Sequence, residues 1–278
     1  MLLLLLRIFT ILPLSFAYKI SDFLAWVLRK LVRYRVDVVK EQLQNAFPNK
    51  NAAQIQKIIK KFYQSFVDQW IETIYALFWS EKQIKKHISG DLSAFDNQAQ
   101  TFVFLSHQFN WELANLYASI VGNKIFAGFY LPVKNKNINN LFLKKRSRFG
   151  GLLIPADNFH KEIKKLKNQE FTLSFIADQN PGALENAVWK EFFNQKVPFL
   201  IAPFKMARLF NAQVLFAELI KEKRGKYKIK IHKIADNAKD FEAEELLNKY
   251  VENLEKSISN QKENWMWTHK RWKYAKNN

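Results

Sequence analysis

The residues best suited to chemistry lie in one short segment, TFVFLSHQFNWELAN (101–115). Its apolar, β-forming start predicts a strand, and its second half has the spacing of a helix. His107 and Glu112, spaced H-x4-E, stand at the junction. A histidine acts as a general base when a carboxylate fixes its tautomer, so we expect His107 Nε2 to take a proton and Glu112 to hold Nδ1. The alternative is a buried histidine beside a surface glutamate.

The sequence offers no evident nucleophile of its own. The chain has no cysteine and no G-x-S-x-G pattern, the usual setting of a catalytic serine. We therefore expect the attacking group to be a hydroxyl of the substrate, which suits direct acyl transfer from a thioester to an alcohol. With five histidines and no cysteine, we expect no metal site.

Two further clusters carry charge. In KKRSRFGG (144–151), Arg146 and Arg148 are candidates to grip a phosphate or a developing oxyanion. The same segment is also typical of a solvated helix end with a glycine cap. In ADQNPG (177–182), Asp178 either orients one of these arginines or belongs to an ordinary turn.

Strand and helix patterns alternate along the middle of the chain. Apolar runs TFVFLS, KIFAGFYLP, GLLIPA and FTLSFIAD are separated by predicted helices over 111–121, 137–149 and 159–167. This alternation predicts an α/β domain with a mostly parallel or mixed central sheet flanked by helices. Ligands of such sheets gather at the carboxyl ends of the strands. Polar residues follow four predicted strands there: Ser106, His107, Lys134, Asp157, Asn158, Asp178, Gln179 and Asn180.

The charge and aromatic content indicate the kind of partner. The net charge of +19 predicts an anionic one: nucleic acid, an anionic membrane surface, or an acidic carrier or substrate. The 25 Phe and 8 Trp favour a protein that handles lipid. No nucleic-acid recognition motif is present in the sequence, so we expect no nucleic-acid partner. The chain closes with an aromatic, basic tail, NWMWTHKRWK (264–273), of which WTHKRWK (267–273) is predicted to be a basic, aromatic surface patch.

The N-terminus is apolar but interrupted by cations. Residues 1–35 contain no uninterrupted apolar run of about 20 residues, the length of a simple spanning helix. We expect an amphipathic or shallowly inserted membrane anchor over 1–35 and one catalytic domain over 36–278. The cluster of Arg29, Lys30, Arg33 and Arg35 would keep its flank on the cytoplasmic side. A soluble helical hairpin packed on the core is the alternative.

Several blocks together carry a family resemblance. They are the apolar N-terminus, YRVDVVKEQLQNAFP, SHQFNWELAN, KKRSRFGG, ADQNPG with WKEFFNQKVPFLIAPFKMARLFNA, and WMWTHKRWK. With these blocks in this order, the chain resembles the bacterial late acyltransferases of lipid A biosynthesis. That family is a branch of the lysophospholipid acyltransferase superfamily. The resemblance implies a glycerol-phosphate-acyltransferase-like fold and covers almost the whole chain.

The resemblance also implies an activity and its partners. An acyl chain would pass from an acyl carrier protein thioester to a hydroxyl of a lipid A precursor, without a cofactor, at the cytoplasmic face of the inner membrane. His107 would be the general base, Glu112 its partner, Arg146 or Arg148 the residue that stabilises charge, and Asp178 a supporting acid. Two alternatives stay open: the same chemistry on another lipid or glycolipid, and a non-catalytic protein of this fold that binds lipid or carrier.

Overall fold

The computed structural model describes residues 2–130, 132, 135–156, 159–185 and 187–275. Of the residues singled out above, Lys134, Asp157 and Asn158 lie outside these ranges. The strands of the described residues are β1 (Ile88–Ser89), β2 (Gln100–Leu105), β3 (Ile125–Tyr130), β4 (Leu152–Pro155), β5 (Phe171–Ile176), β6 (Ala187–Phe192), β7 (Gln195–Leu200), β8 (Gln213–Lys223) and β9 (Lys226–Ala235). The helices are α1 (Leu2–Phe9), α2 (Leu14–Lys30), α3 (Val36–Ala46), α4 (Ala52–Ala76), α5 (Glu81–His87), α6 (Trp111–Val121), α7 (Lys136–Arg146), α8 (Phe159–Lys165), α9 (Ala202–Phe210) and α10 (Ala243–Asn260).

A central sheet organises the fold. In the described part of the chain it has seven strands in the order β1-β9-β8-β2-β5-β3-β4. The neighbours β8–β2, β2–β5, β5–β3 and β3–β4 run parallel, whereas β8 and β9 form an antiparallel hairpin. The predicted α/β class, with a mostly parallel mixed sheet flanked by helices, is confirmed. The pair β6–β7 forms a separate antiparallel ribbon.

The central strand β2 is covered on both faces. Phe102, Val103 and Phe104 are buried, the near-continuous apolar run typical of an inner parallel strand. Since side chains alternate along a strand, Phe104 faces α9, where its ring stacks on Phe204 with centroids 4.2 Å apart. Val103 faces the opposite side. That side is covered by α6, which packs close to β3: a Cβ built on Gly128 would lie 3.5 Å from Oδ1 of Asn115 in α6.

The N-terminal helices meet at a sharp angle. Within the described residues, no single helix is both long and apolar enough to cross a bilayer. Residues Leu3–Phe9 and Leu14–Lys30 would meet that test together by length and composition, but they are bent by 108° at the break between them. Helix α2 lies along α4, and its buried residues are Ala17, Ser21 and Ala25.

Two buried carboxylates of α4 tie α2 to the rest of the chain. Asp68 accepts hydrogen bonds from Ser21 Oγ at 2.7 Å and from Arg224 Nε at 2.9 Å. Glu72 accepts from Tyr18 Oη at 2.8 Å, from Tyr227 Oη at 2.7 Å and from Asn110 Nδ2 at 2.9 Å. Burial raises the pKa of Glu72, while Lys221 and these three donors act in the opposite direction. Because Asn110 directly precedes α6, the Glu72 cluster connects α2 to the segment that carries His107 and Glu112.

The tryptophans and the arginine of the C-terminal tail are buried, although Lys270 and Lys273 are exposed, so the predicted surface patch is wrong. Trp265, Trp267 and Arg271 are at most 1% exposed. The Arg271 guanidinium donates to Asn180 Oδ1 at 2.6 Å and to Pro198 O at 2.9 Å, and it lies 4.2 Å from the centroid of the Phe199 ring. Burial lowers the pKa of Arg271 to about 10. Carbonyl oxygens and an aromatic ring thus replace the water that a surface arginine would have.

Candidate active site

The register of two parallel strands places the central pair of the site. Leu105 and Ile176, the last residues of β2 and β5, lie side by side. His107 and Asp178 each come two residues later, so both reach the carboxyl edge of the sheet at neighbouring positions. The edge is where ligands of parallel sheets gather. Two residues 71 positions apart in the sequence therefore become direct neighbours.

Asp178 holds the ring of His107. Its Oδ1 lies 2.6 Å from His107 Nδ1, and its Oδ2 accepts from the His107 backbone N–H at 2.9 Å and from Trp265 Nε1 at 2.6 Å. Burial opposes ionisation of Asp178, but the His107 charge and the hydrogen bonds from His107 and Trp265 outweigh it and lower the pKa of Asp178. An ionised carboxylate only accepts, so Nδ1 donates and Nε2 of a neutral His107 is left free to take a proton.

The prediction that Glu112 holds Nδ1 of His107 is therefore wrong in its geometry. Glu112 lies in the first turn of α6, and its carboxylate is paired with Arg146 at the end of α7. Arg146 Nε donates to Glu112 Oε2 at 2.8 Å, and Nη2 donates to Oε1. The prediction that Asp178 orients one of the arginines is also wrong, because the carboxylate of Asp178 bonds to His107 and Trp265 instead. The two acids have exchanged the partners expected from the sequence.

The structure separates the two candidate arginines. Arg146 lines a cavity at the site together with His107 and Glu112. Arg148 instead donates to the carbonyls of Ala76 at 2.6 Å and Trp79 at 3.1 Å, where it closes the carboxyl end of α4. Burial lowers the pKa of Arg148. Arg146 is thus placed to contact a ligand, whereas Arg148 joins α7 to α4.

The cavity has a volume of about 1480 Å³ and extends along both faces of the sheet. Ordinary small-molecule sites occupy roughly 300–1,000 Å³, so it has room for a long or branched ligand. The part between α6 and the sheet is called here the closed lobe. Its walls are mostly small side chains, and the residues at its far end are buried. The walls are Val103, Ala114, Ala118, Gly128, Ser174 and Ala217, and the far end is Leu92, Phe95, Phe126 and Ile229.

The part on the opposite face, between α8 and α9, is called here the open lobe. Phe129, Phe175 and Met206 line it, and each is partly exposed. The two lobes approach each other at the carboxyl edge of β5, where Ile176 and Gln179 also line the cavity. His107 stands at this edge, so a molecule that reaches its ring has access to either lobe. Among the described residues, no cluster of three or more His, Asp and Glu side chains is arranged to hold a metal ion.

Comparison with known sequences places the chain in a family. The sequence model described as "Bacterial lipid A biosynthesis acyltransferase" matches residues 1–274. The chain belongs to that family. It is 23% identical over 255 residues to the lipid A biosynthesis palmitoleoyltransferase of Escherichia coli (strain K12) and to the lipid A biosynthesis acyltransferase of Shigella flexneri. Each alignment covers 88% of this chain and 81% of the relative.

The predictions that the chain is an acyltransferase and that it belongs to this family are both confirmed. One residue of the candidate site went unnoticed in the sequence. Trp265 donates to Asp178 from the C-terminal tail, 87 positions away. The tail stood out only by its aromatic and basic composition, and that composition pointed to the surface. The repeated tryptophans were nevertheless the available signal, because an indole N–H is a donor that suits a buried carboxylate.

Proposed function

We propose that this acyltransferase takes a fatty acyl group from an acyl carrier protein thioester and places it on a hydroxyl of a lipid A precursor. The His107–Asp178 pair beside a large, mostly apolar cavity carries the proposal. The lipid A acceptor is proposed from the description of the family and the names of the two relatives. No cofactor is needed, because the thioester already supplies an activated acyl group.

The proposed chemistry uses His107 twice. Its Nε2 takes the proton of the acceptor hydroxyl as that oxygen attacks the thioester carbonyl carbon and forms the new C–O bond. The tetrahedral oxyanion then collapses, the C–S bond breaks, and the imidazolium returns the proton to the leaving thiolate. Asp178 stabilises the imidazolium through Nδ1 at 2.6 Å. The acyl group never bonds to the protein, in keeping with a chain that has no cysteine.

Arg146 and Glu112 have a different role from His107 and Asp178 in this scheme. The guanidinium of Arg146 lines the same cavity as His107, where its charge would stabilise the oxyanion or a phosphate of the acceptor. Glu112 fixes the orientation of Arg146 through a two-point ion pair. We thus propose Asp178 as the partner of the base and Glu112 as the residue that positions Arg146.

The two arginines are expected to respond differently to the same substitution. Arg146→Met should lower kcat for acyl transfer about 10²- to 10³-fold, the cost of one oxyanion donor. Arg148→Met should instead lower the free energy of unfolding by about 2 kcal/mol, because it leaves the carbonyls of Ala76 and Trp79 without this donor. Steady-state kinetics and urea unfolding in detergent measure the two effects. Equal losses of kcat in both variants would contradict the different roles assigned to Arg146 and Arg148.

We propose the cytoplasmic face of the bacterial inner membrane as the location. The α1–α2 region exposes many large apolar side chains beside several cations, which suits insertion into an anionic bilayer surface. The apolar ones include Leu3, Leu4, Leu5, Ile8, Ile11, Phe16, Phe23, Trp26, Leu31 and Val32.

This surface lies close to the site. Tyr75 of α4 donates to the carbonyl of Leu12, between α1 and α2, at 2.8 Å. Burial and the nearby charges of Arg148, Lys144 and Arg7 lower the pKa of Lys145, so α1 lies beside the end of α7. Since Arg146 is the next residue, insertion of α1 would bring the cavity to the membrane surface, where the lipid acceptor resides.

The decisive experiment compares lipids from a deletion strain with those of complemented strains by mass spectrometry. The deletion should produce lipid A that lacks one acyl chain, and the wild-type gene should restore it, whereas His107→Ala should not. His232→Ala is the control, since His232 pairs with Glu218 at 2.8 Å and does not line the cavity. In the same cells the protein should stay with the inner membrane through a high-salt wash. Full complementation by His107→Ala would contradict the proposed chemistry.

A further inference from the structure

The open lobe reaches the surface along a groove between α8 and α9. Lys164 and Lys167 line it from the α8 side, and Lys205 and Leu209 line it from α9. All four side chains are exposed, Leu209 by 79%. Lys205 and Leu209 are four residues apart on one helix, so they share a face. The rim of the open lobe therefore combines three cations with an exposed apolar residue.

The rim lysines are available for a partner. Within the described ranges, none of the three lysines forms an ion pair. Two nearby acids have partners of their own: Glu162 pairs with Lys165 at 2.6 Å, and Glu244 pairs with Lys190 at 2.8 Å. Three cations around one opening attract an anionic ligand and speed its association.

The open lobe runs the full length of the sheet. Its outer end lies at the amino end of the strands, where Gln100 Nε2 donates to Lys167 O at 2.8 Å and Phe210 contacts Phe171. Its inner end lies at the carboxyl edge, beside His107. A strand of six residues spans roughly 17 Å. A ligand anchored at the outer end, beside Lys167, must therefore extend an arm of about that length to bring a reacting group to His107.

The two lobes differ in what they can hold. The closed lobe ends in buried apolar side chains, which suits the methyl end of a hydrocarbon chain. A hydrocarbon chain that entered the open lobe from His107 would end among exposed lysines, where burying it gains little. The open lobe suits the opposite direction of entry, with an anionic group at the rim and a linear arm that leads inward.

We infer that the open lobe is the entrance for the donor: an acidic acyl carrier protein docks on Lys164, Lys167, Lys205 and Leu209. Its phosphopantetheine arm lies along the groove, with the phosphate near the lysines and the thioester at His107. The acyl chain continues past the edge of the sheet into the closed lobe. This inference rests on the proposed function and adds the surface that receives the carrier. The acceptor lipid then approaches from the α1–α7 side.

The test compares two donors with one acyl chain, dodecanoyl carrier protein and dodecanoyl pantetheine, which has no carrier and no phosphate. In the triple variant Lys164→Glu, Lys167→Glu, Lys205→Glu, kcat/KM for the carrier donor should fall about tenfold to a thousandfold more than kcat/KM for dodecanoyl pantetheine. The matched control reverses three exposed lysines outside the cavity: Lys228→Glu, Lys230→Glu and Lys256→Glu. In that control, kcat/KM should change by the same factor for both donors.

Each other result has a distinct meaning. Equal losses for both donors, or a separation of the donors by the control triple as well, would overturn the docking surface. A rise in KM for the acceptor lipid alone would assign the open lobe to lipid and also overturn it. If the wild-type protein transfers from neither donor, the proposed function itself fails, which is a separate outcome.

Discussion

Asp178→Asn is expected to lower kcat roughly 10³- to 10⁴-fold, as loss of the correct histidine tautomer does in other histidine-based catalysts. In the native protein Oδ2 of Asp178 accepts from the His107 backbone and from Trp265, while Oδ1 faces Nδ1. An asparagine would keep its single oxygen toward these two donors. Its amide nitrogen would then face Nδ1 and donate to it. The ring proton would move to Nε2, and the base would be blocked.

Glu112→Gln is the matched comparison, because it removes the charge of the acid that the H-x4-E spacing favoured. It should lower kcat much less than Asp178→Asn, about tenfold, since Arg146 keeps a neutral acceptor. KM for the lipid acceptor should change little in the Asp178 variant, because the lost interaction acts in the transition state. A larger kcat loss in Glu112→Gln than in Asp178→Asn would return the role of partner to Glu112.

Ala118→Phe is expected to shorten the acyl chain that the enzyme accepts. Ala118 lines the closed lobe from α6, seven residues or about 10 Å along the helix from Trp111. A phenyl ring there would fill the space that the end of a long chain needs. Displacing about four methylenes, each contributing about 0.8 kcal/mol, costs about 3 kcal/mol, which is about a hundredfold in kcat/KM.

The measurement is a competition between tetradecanoyl and decanoyl donors. Transfer of the longer chain should fall about a hundredfold relative to the shorter one in Ala118→Phe. The control is Ala202→Phe, the same change in the open lobe, which should leave the preference between the two chains as in the wild type. A shifted preference in Ala202→Phe, with none in Ala118→Phe, would place the acyl chain in the open lobe and contradict its assignment to the closed lobe.

The sequence by itself determined the class of the fold and the position of His107, the proposed base. The strand–helix alternation reports local burial with periods of two and 3.6 residues, and the predicted helix over 111–121 coincides with α6. His107 comes two residues after the end of β2, so its place at the carboxyl edge of a parallel sheet is fixed by local pattern alone. The order of the sequence blocks that carry the resemblance was then enough to identify the family.

Only the tertiary structure decided what surrounds His107. Asp178 meets His107 because β2 and β5 pair in one particular register, and no local pattern encodes the register between strands 71 residues apart. Glu112 was the nearer acid along the chain, but α7 brings Arg146 to it. The tail was misjudged because composition records only that Trp265 and Arg271 are aromatic and basic. Their burial depends on the acceptors that distant segments present, Asp178 and Pro198 among them.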